Sequence, residues 1–367
     1  MFYNPVVRFV LVLFLMALPA SAQSWSVQTS GLSTNLRGVS VKRRGNGRYI
    51  VWASGSNSTI LRSINNGETW DRIIIADARD LDFRDIEGFD DDKDTAYVMS
   101  SGNGEKSRIY KTSAGQPWTL QYSSKKPGFF LDSLACDSET HCVALSDPVD
   151  GKFLVIATND GSHWNELPRD KMPPALPNEG AFAASGTSIA LCDHGAIFFG
   201  TGSARVARVF RSTDAGQSWE AIETPIAAGN QTSGIFSLAC EGPIVVVVGG
   251  DYKNPGNANQ VAAFSSDAGE TWRLAQQQPG GYRSAVGSFG HGSFAAVGPN
   301  GVDISQRPPG GGMRWQPSDK LNLNAVAFAG TEGWAVGPNG TIVRVKTRSA
   351  VKMQDGVPAE KPRRPGN

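Results

Sequence analysis

Ser63-Ile64-Asn65-Asn66-Gly67-Glu68-Thr69-Trp70, Ser212-Thr213-Asp214-Ala215-Gly216-Gln217-Ser218-Trp219 and Ser265-Ser266-Asp267-Ala268-Gly269-Glu270-Thr271-Trp272 are three copies of one phrase, and looser copies end at Trp118 and Trp164. Copies spaced roughly fifty residues apart mark one supersecondary unit each of a repeat architecture. Every position in the phrase has a folding role. The third-position side chain (Asn65, Asp214 or Asp267, with Asn159 in a looser copy) accepts backbone N–H bonds inside its own turn. The glycine (Gly67, Gly161, Gly216, Gly269) supplies backbone freedom, and Trp70, Trp164, Trp219 and Trp272 open an outer strand and bury a large ring between units. The phrase therefore predicts a fold and no catalysis.

Each unit reads as a four-stranded meander. The first unit shows it best, with Asn35–Val41, Arg48–Ser54, Ser58–Ser63 and, after the turn, Thr69–Ile75. Corresponding first strands can be read at seven places: NLRGVSV, FRDIEGF, LDSLAC, TSIALC, IFSLAC, RSAVGSF and NAVAF. Last strands beginning at a tryptophan number only six in order, at Trp70, Trp118, Trp164, Trp219, Trp272 and Trp315. The missing one lies near the other end, at Ser24–Gln28 around Trp25, ahead of the first unit. A ring that borrows its final strand from the opposite terminus is a closed β-propeller, which has no free edge between first and last blades. The expectation is an all-β, seven-bladed propeller over residues 23–347. The Asn- and Gly-containing turns of GSNSTI, GPNGVDI and GPNGTIV support the register, since both residues tolerate the positive φ of tight hairpins.

Residues 6–18 are apolar, follow a single basic residue (Arg8) and precede Ala20-Ser21-Ala22, which is the pattern of a secretory signal peptide over 1–22. The run is shorter than the ~20 residues that span a bilayer, so no membrane span is expected after cleavage. Residues 348–367 have the proline-rich, charged character of a disordered tail. A formal charge of +1, falling to near zero without Arg8, argues against nucleic acid as the partner. In an exported chain four cysteines suggest disulfides. Cys136 and Cys142 flank a hairpin turn, while Cys192 and Cys240 occupy matching places in successive units.

The phrase is the Asp box, or bacterial neuraminidase repeat, shared by sialidases, sortilin-type receptors and other exported propellers. Together with LRGVSV, WASGSNSTILRSINNGETW, FRDI, YRSAV and GWAVGPNGTIVRV, it makes residues 24–346 resemble the photosystem II stability/assembly factor family in its broad bacterial form. That resemblance implies an exported, non-enzymatic propeller that binds another protein. The insertions at 146–153 and 171–182 mark a divergent branch, and a partner other than a photosystem subunit is expected.

First strands line a propeller's channel, so residues at their starts surround one mouth: Arg37, Arg84, Asp132, Thr187, Phe236, Arg283 or Ser284, and Asn324. Three arginines can converge on a carboxylate or acidic peptide, because guanidinium offers it a planar fork. Asp132 and Glu179 are placed to meet a cationic part of the same ligand. By the match of LRGV and FRDI, the family's basic patch maps onto Arg37 and Arg84. The plainer reading pairs these arginines with Asp82, Asp85 and Glu87. Two rivals remain: a sialidase-type hydrolase, which also uses three arginines but needs a nucleophilic Tyr with an acid partner, and a receptor for a sugar or small ligand. The four histidines show no metal-ligand spacing, and the acidic run Phe89–Asp94 falls at a turn. A monomer that uses no metal or cofactor, with a protein or acidic peptide as partner, is the reading the sequence supports.

Overall fold

A computed structural model describes residues 23–347 other than 92, 114 and 307–311. The expected signal peptide and tail lie outside them. Seven four-stranded antiparallel sheets form the blades. Blades one to six are consecutive meanders that begin with the strands Leu36–Arg43, Asp82–Gly88, Leu131–Cys136, Ile189–Leu191, Ser233–Glu241 and Ala285–Gly290. Blade seven combines Ala325–Ala329, Glu332–Val336 and Thr341–Lys346 with Ser24–Thr29 as its outermost strand. The closing pairing runs antiparallel from Ser24 opposite Lys346 to Thr29 opposite Thr341. Among the described residues helix is confined to two single 3-10 turns, Gly104–Lys106 and Asp193–Gly195.

The core lies in seven layers between neighbouring blades, and each layer takes one tryptophan from the start of an outer strand. Trp70 packs between blades seven and one, Trp118 between one and two and Trp164 between two and three. Trp219, Trp272, Trp315 and Trp25 fill the layers that follow around the ring. Burying a ring of this size excludes more water than an aliphatic chain at the same spot, which is why a strand of two or three residues suffices behind it. The terminal strand is fixed by side chains as well as by its ladder. Trp334 Nε1 donates to Gln28 Oε1 at 2.9 Å, and Gln28 Nε2 donates to Asn66 O at 3.1 Å, tying blade seven to the first turn.

In the turns, Ser218 N and Thr271 N donate to Asp214 and Asp267 at 2.8 and 2.9 Å. The Ser218 and Thr271 hydroxyls, and those of Ser212 and Ser265, also donate to these carboxylates, and these bonds hold both down to about 2. Asn65 takes the equivalent bond from Thr69 N at 3.0 Å. The turn before Trp164 departs from expectation. Asp160, not Asn159, accepts from Ser162 N and His163 N, both at 2.8 Å, because Thr158 takes the place of the leading serine and the turn is one residue shorter. Gly269 sits at φ +85°, where a Cβ would also come within 2.5 Å of Phe198, so both backbone and space demand glycine.

Both disulfides form. Cys136–Cys142 closes a hairpin within blade three, and Cys192–Cys240 joins the end of blade four's first strand, one residue past Leu191, to the first strand of blade five.

Candidate functional site

The first strand of each blade touches that of the next around a complete circle. These strands run the same way along the axis, so their starts share one end. At that end the ladder is broken by a one-residue irregularity at Arg37, Arg84, Asp132 and Phe236. A bulge turns the extra side chain away from its sheet, and here that sends four residues toward one mouth. Asn324 occupies the corresponding position in blade seven, where its Nδ2 donates to Leu36 O at 2.7 Å and links the last blade to the first.

A connection that fills part of this mouth was not legible in the sequence. Residues 167–188, between blades three and four, cross the channel before entering the strand Ile189–Leu191. Ala181 N donates to Asp147 Oδ1 at 2.9 Å, in blade three. Arg84 of blade two donates to Ala183 O. Ser185 Oγ reaches Ser284 O of blade six at 2.9 Å, and Thr187 meets Ser237 of blade five at 2.6 Å. The segment also brings Phe182 flat against Phe236, with ring centroids 3.8 Å apart, and Tyr282 meets the other side of Phe236 edge-on at 4.8 Å.

This arrangement corrects two of the expected ligand residues. Glu179 is a buried tie inside the connection: it pairs with Arg208 and accepts from Thr201 Oγ1 at 2.6 Å and Leu176 N at 2.8 Å. Arg283 is 2% exposed and pairs with the equally buried Asp303. The cause is register: Arg283 takes the position that in other blades comes one residue before the irregularity and holds Leu36, Phe83, Leu131 and Ile235, all facing the core. An arginine there needs a buried partner. With Arg283 withdrawn, the three-arginine arrangement of a sialidase is not assembled.

Asp132 is also buried, its Oδ2 lacking a partner among the described residues. Burial, and then the Asp147 charge, push its carboxyl well above the usual range, while Arg84 opposes this. Asp147 is raised by burial as well. Asp85 is used structurally, accepting from Leu134 N at 2.7 Å across the blade two to three junction.

What stays accessible is Arg37, Arg84 and Asn324, flanked by Phe182 and Tyr282. Arg84 Nε donates to Asp82 at 2.6 Å, as the plainer reading expects. Arg37 has no carboxylate within ion-pair distance among the described residues. Burial first, then the Arg84 charge, lower its pKa, with Asp82 and Tyr282 opposing. Arg37 remains charged at any physiological pH, and the Asn35 side-chain oxygen, in the amide orientation that suits its neighbours, accepts from its Nε and Nη2 at 3.1 Å. The acidic run at 89–94 is engaged locally, Asp91 accepting from Thr95 N at 2.8 Å and Asp94 pairing with Arg44 and Arg62.

Ring and terminal closure define a seven-bladed propeller with Arg37 and Arg84 at one end of its channel. The chain belongs to the DUF6242 beta propeller domain family, whose model matches residues 21–290. Among solved structures it is similar to YCF48 bound to D1 peptide, at 15% identity over 90% of this chain and 97% of that one with a TM-score of 0.60. YCF48 from Cyanidioschyzon merolae is 15% identical over 88% and 98%, with a TM-score of 0.59. Virginiamycin B lyase from Staphylococcus aureus with quinupristin is 12% identical over 89% and 100%, with a TM-score of 0.61. At such identities these likenesses show the fold alone, and they include an enzyme. No curated protein is similar enough to count as a relative by sequence.

Proposed function

We propose that this protein is an exported, non-enzymatic scaffold that holds an acidic segment of another protein at the channel mouth. The observation that carries the reading is Arg37, a partly buried guanidinium beside Arg84 with no carboxylate of its own. Arg37 and Arg84 stand on the bulges of neighbouring blades with Asp82 paired to Arg84, and a bound anion offsets the repulsion that remains between them. The YCF48 structure, whose fold is similar, holds a peptide, which supports a protein partner over a sugar. Export is supported by the two disulfides, which persist in oxidising compartments. Among the described residues no helix is long and apolar enough to cross a membrane.

The test is retention of envelope proteins from the native cell on the immobilised chain, compared with an Arg37→Ala/Arg84→Ala variant of unchanged melting temperature. The reading expects a protein retained at low salt and released as salt rises, and absent from the variant. An identical set of proteins on both would refute it.

A further inference from the structure

Arg37 is held by a residue of its own chain segment. Asn35, two residues ahead of the bulge, sets its side-chain oxygen 3.1 Å from both Nε and Nη2 of Arg37. Two N–H groups on one acceptor fix the plane of a guanidinium. Nη1 has no hydrogen-bond partner among the described residues and is not enclosed. Asn35 is itself immobile. Its backbone oxygen accepts from Ser56 N at 3.0 Å, and a Cβ on the neighbouring Gly55 would stand only 2.3 Å from that oxygen. The residues on either side are stitched to the last turn of blade seven, where Gly340 N donates to Thr34 O at 2.6 Å and Leu36 N to Gly337 O at 3.1 Å. Ring closure therefore fixes the residue that holds Arg37.

The surroundings of the Asn35 side chain suit a carboxylate better than an amide. On one side stand the two Arg37 nitrogens, and on the other Asn324 Nδ2 lies 2.7 Å away while also donating to Leu36 O at 2.7 Å. These are donors on both sides, for which an amide offers one oxygen and a carboxylate two. An acid at position 35 would also supply Arg37 with a counter-charge without a change of shape. The chain carries the uncharged residue instead. Arg84 shows the alternative, since the same Nε is taken there by the Asp82 carboxylate at 2.6 Å.

We infer that Asn35 is the positioning residue of the mouth: it holds Arg37 by the Nε–Nη2 edge without cancelling its charge, so that the Nη1 end is presented to a carboxylate of the partner. This rests on the proposed acidic-segment role and adds which residue prepares the arginine and from which end the ligand meets it. Arg37 is then the stronger anchor of the two arginines, because the charge of Arg84 is already offset within its own blade.

Asn35→Asp tests this, because it separates binding from stability. The probe is the capped peptide Ac-Gly-Asp-Gly-Asp-Gly-NH2, titrated at low salt against the signal-free chain by ligand-observed NMR, with Ac-Gly-Asn-Gly-Asn-Gly-NH2 as its uncharged twin. The variant should bind the acidic peptide at least about tenfold more weakly than the parent, while its melting temperature holds or rises. Asn35→Ala leaves Arg37 charged but unheld. It should weaken the peptide several-fold and remove the protected Arg37 Nε–H signal from the nitrogen–proton correlation spectrum, a signal identified in the parent by its loss in Arg37→Lys. Equal binding by the parent and Asn35→Asp, an Asn35→Asp protein that melts below the parent, or an Arg37 signal unchanged in Asn35→Ala would overturn the inference. If Arg37→Ala still releases the peptide, each of these results leaves the proposed function standing. A parent that binds neither peptide, or both equally, removes the two together.

Discussion

Replacing Glu179 by Ala separates a structural tie from a ligand group. The Glu179 side chain is 0% exposed and receives Arg208 Nε at 2.9 Å, Thr201 Oγ1 at 2.6 Å and Leu176 N at 2.8 Å, while the Arg208 side chain is 10% exposed. Removing the carboxylate leaves a nearly buried guanidinium with no counter-charge, held only to Pro174 O, and the Leu176 N–H without its acceptor, while Thr201 Oγ1 keeps Arg208 O. Breaking a buried pair in this way costs about 3–5 kcal/mol. In a chain of this size each kcal/mol moves the melting point by about 2 °C, so a fall of about 6–10 °C is expected. The partner variant Glu179→Met/Arg208→Leu removes both charges and should recover much of the loss, because the pair's desolvation cost disappears with it. Thermal melts with urea unfolding read the stability, and limited proteolysis at residues 171–188 reads the connection that Glu179 anchors. A Glu179→Ala protein melting within about 1 °C of the parent, with its proteolysis pattern unchanged, would refute the structural assignment and return Glu179 to the ligand.

The two disulfides should differ in weight. They close loops of 48 and 6 residues, for which chain entropy gives about 4 kcal/mol for Cys192–Cys240 and about 2 kcal/mol for Cys136–Cys142. Urea unfolding of the paired Cys→Ala variants checks the order, and a larger loss at the short loop contradicts it. Asp132 is raised in the folded state, so its contribution is complete below the ordinary carboxylate range and is lost as pH rises toward its folded value. Asp132→Asn should therefore match the parent near pH 4 and melt higher at pH 8, and a variant that melts lower at pH 8 than at pH 4 relative to the parent refutes this. Asp214 and Asp267 act in the opposite sense, their contribution being lost as pH falls from about 4 toward about 2. Removing residues 23–30 should expose the edge of Thr341–Lys346 and produce dimers or aggregates on size exclusion with light scattering. A stable monomer at the parental melting temperature would contradict the closure.

The ring was legible because its signals are local and repeated. Trp25 could be assigned to blade seven, some three hundred residues away, because six other tryptophans had defined where an outer strand begins. Cys136–Cys142 followed from its hairpin turn and Cys192–Cys240 from equivalent positions in the repeat. The mouth was only half legible, since facing depends on a register that a one-residue slip reverses. Arg37 and Arg84 come at the bulge, but Arg283 comes one residue earlier. The apolar residues at that position in other blades were the signal that could have placed it in the core. Asn159 was chosen over Asp160 through the same kind of slip. Phe182 was beyond reach for another reason: it meets the channel through a non-repeating connection, and nothing in the period says where such a segment lies.

Where a partner sits can be measured directly by photo-crosslinking the signal-free chain to an acidic peptide that carries benzophenonylalanine next to aspartate, and mapping the adducts by mass spectrometry. The mouth predicts adducts within residues 35–38, 82–85, 180–187 and 280–284, lost in Arg37→Ala. Adducts concentrated on the outer strands that follow Trp70, Trp219 and Trp272, and unaffected by that substitution, would contradict it.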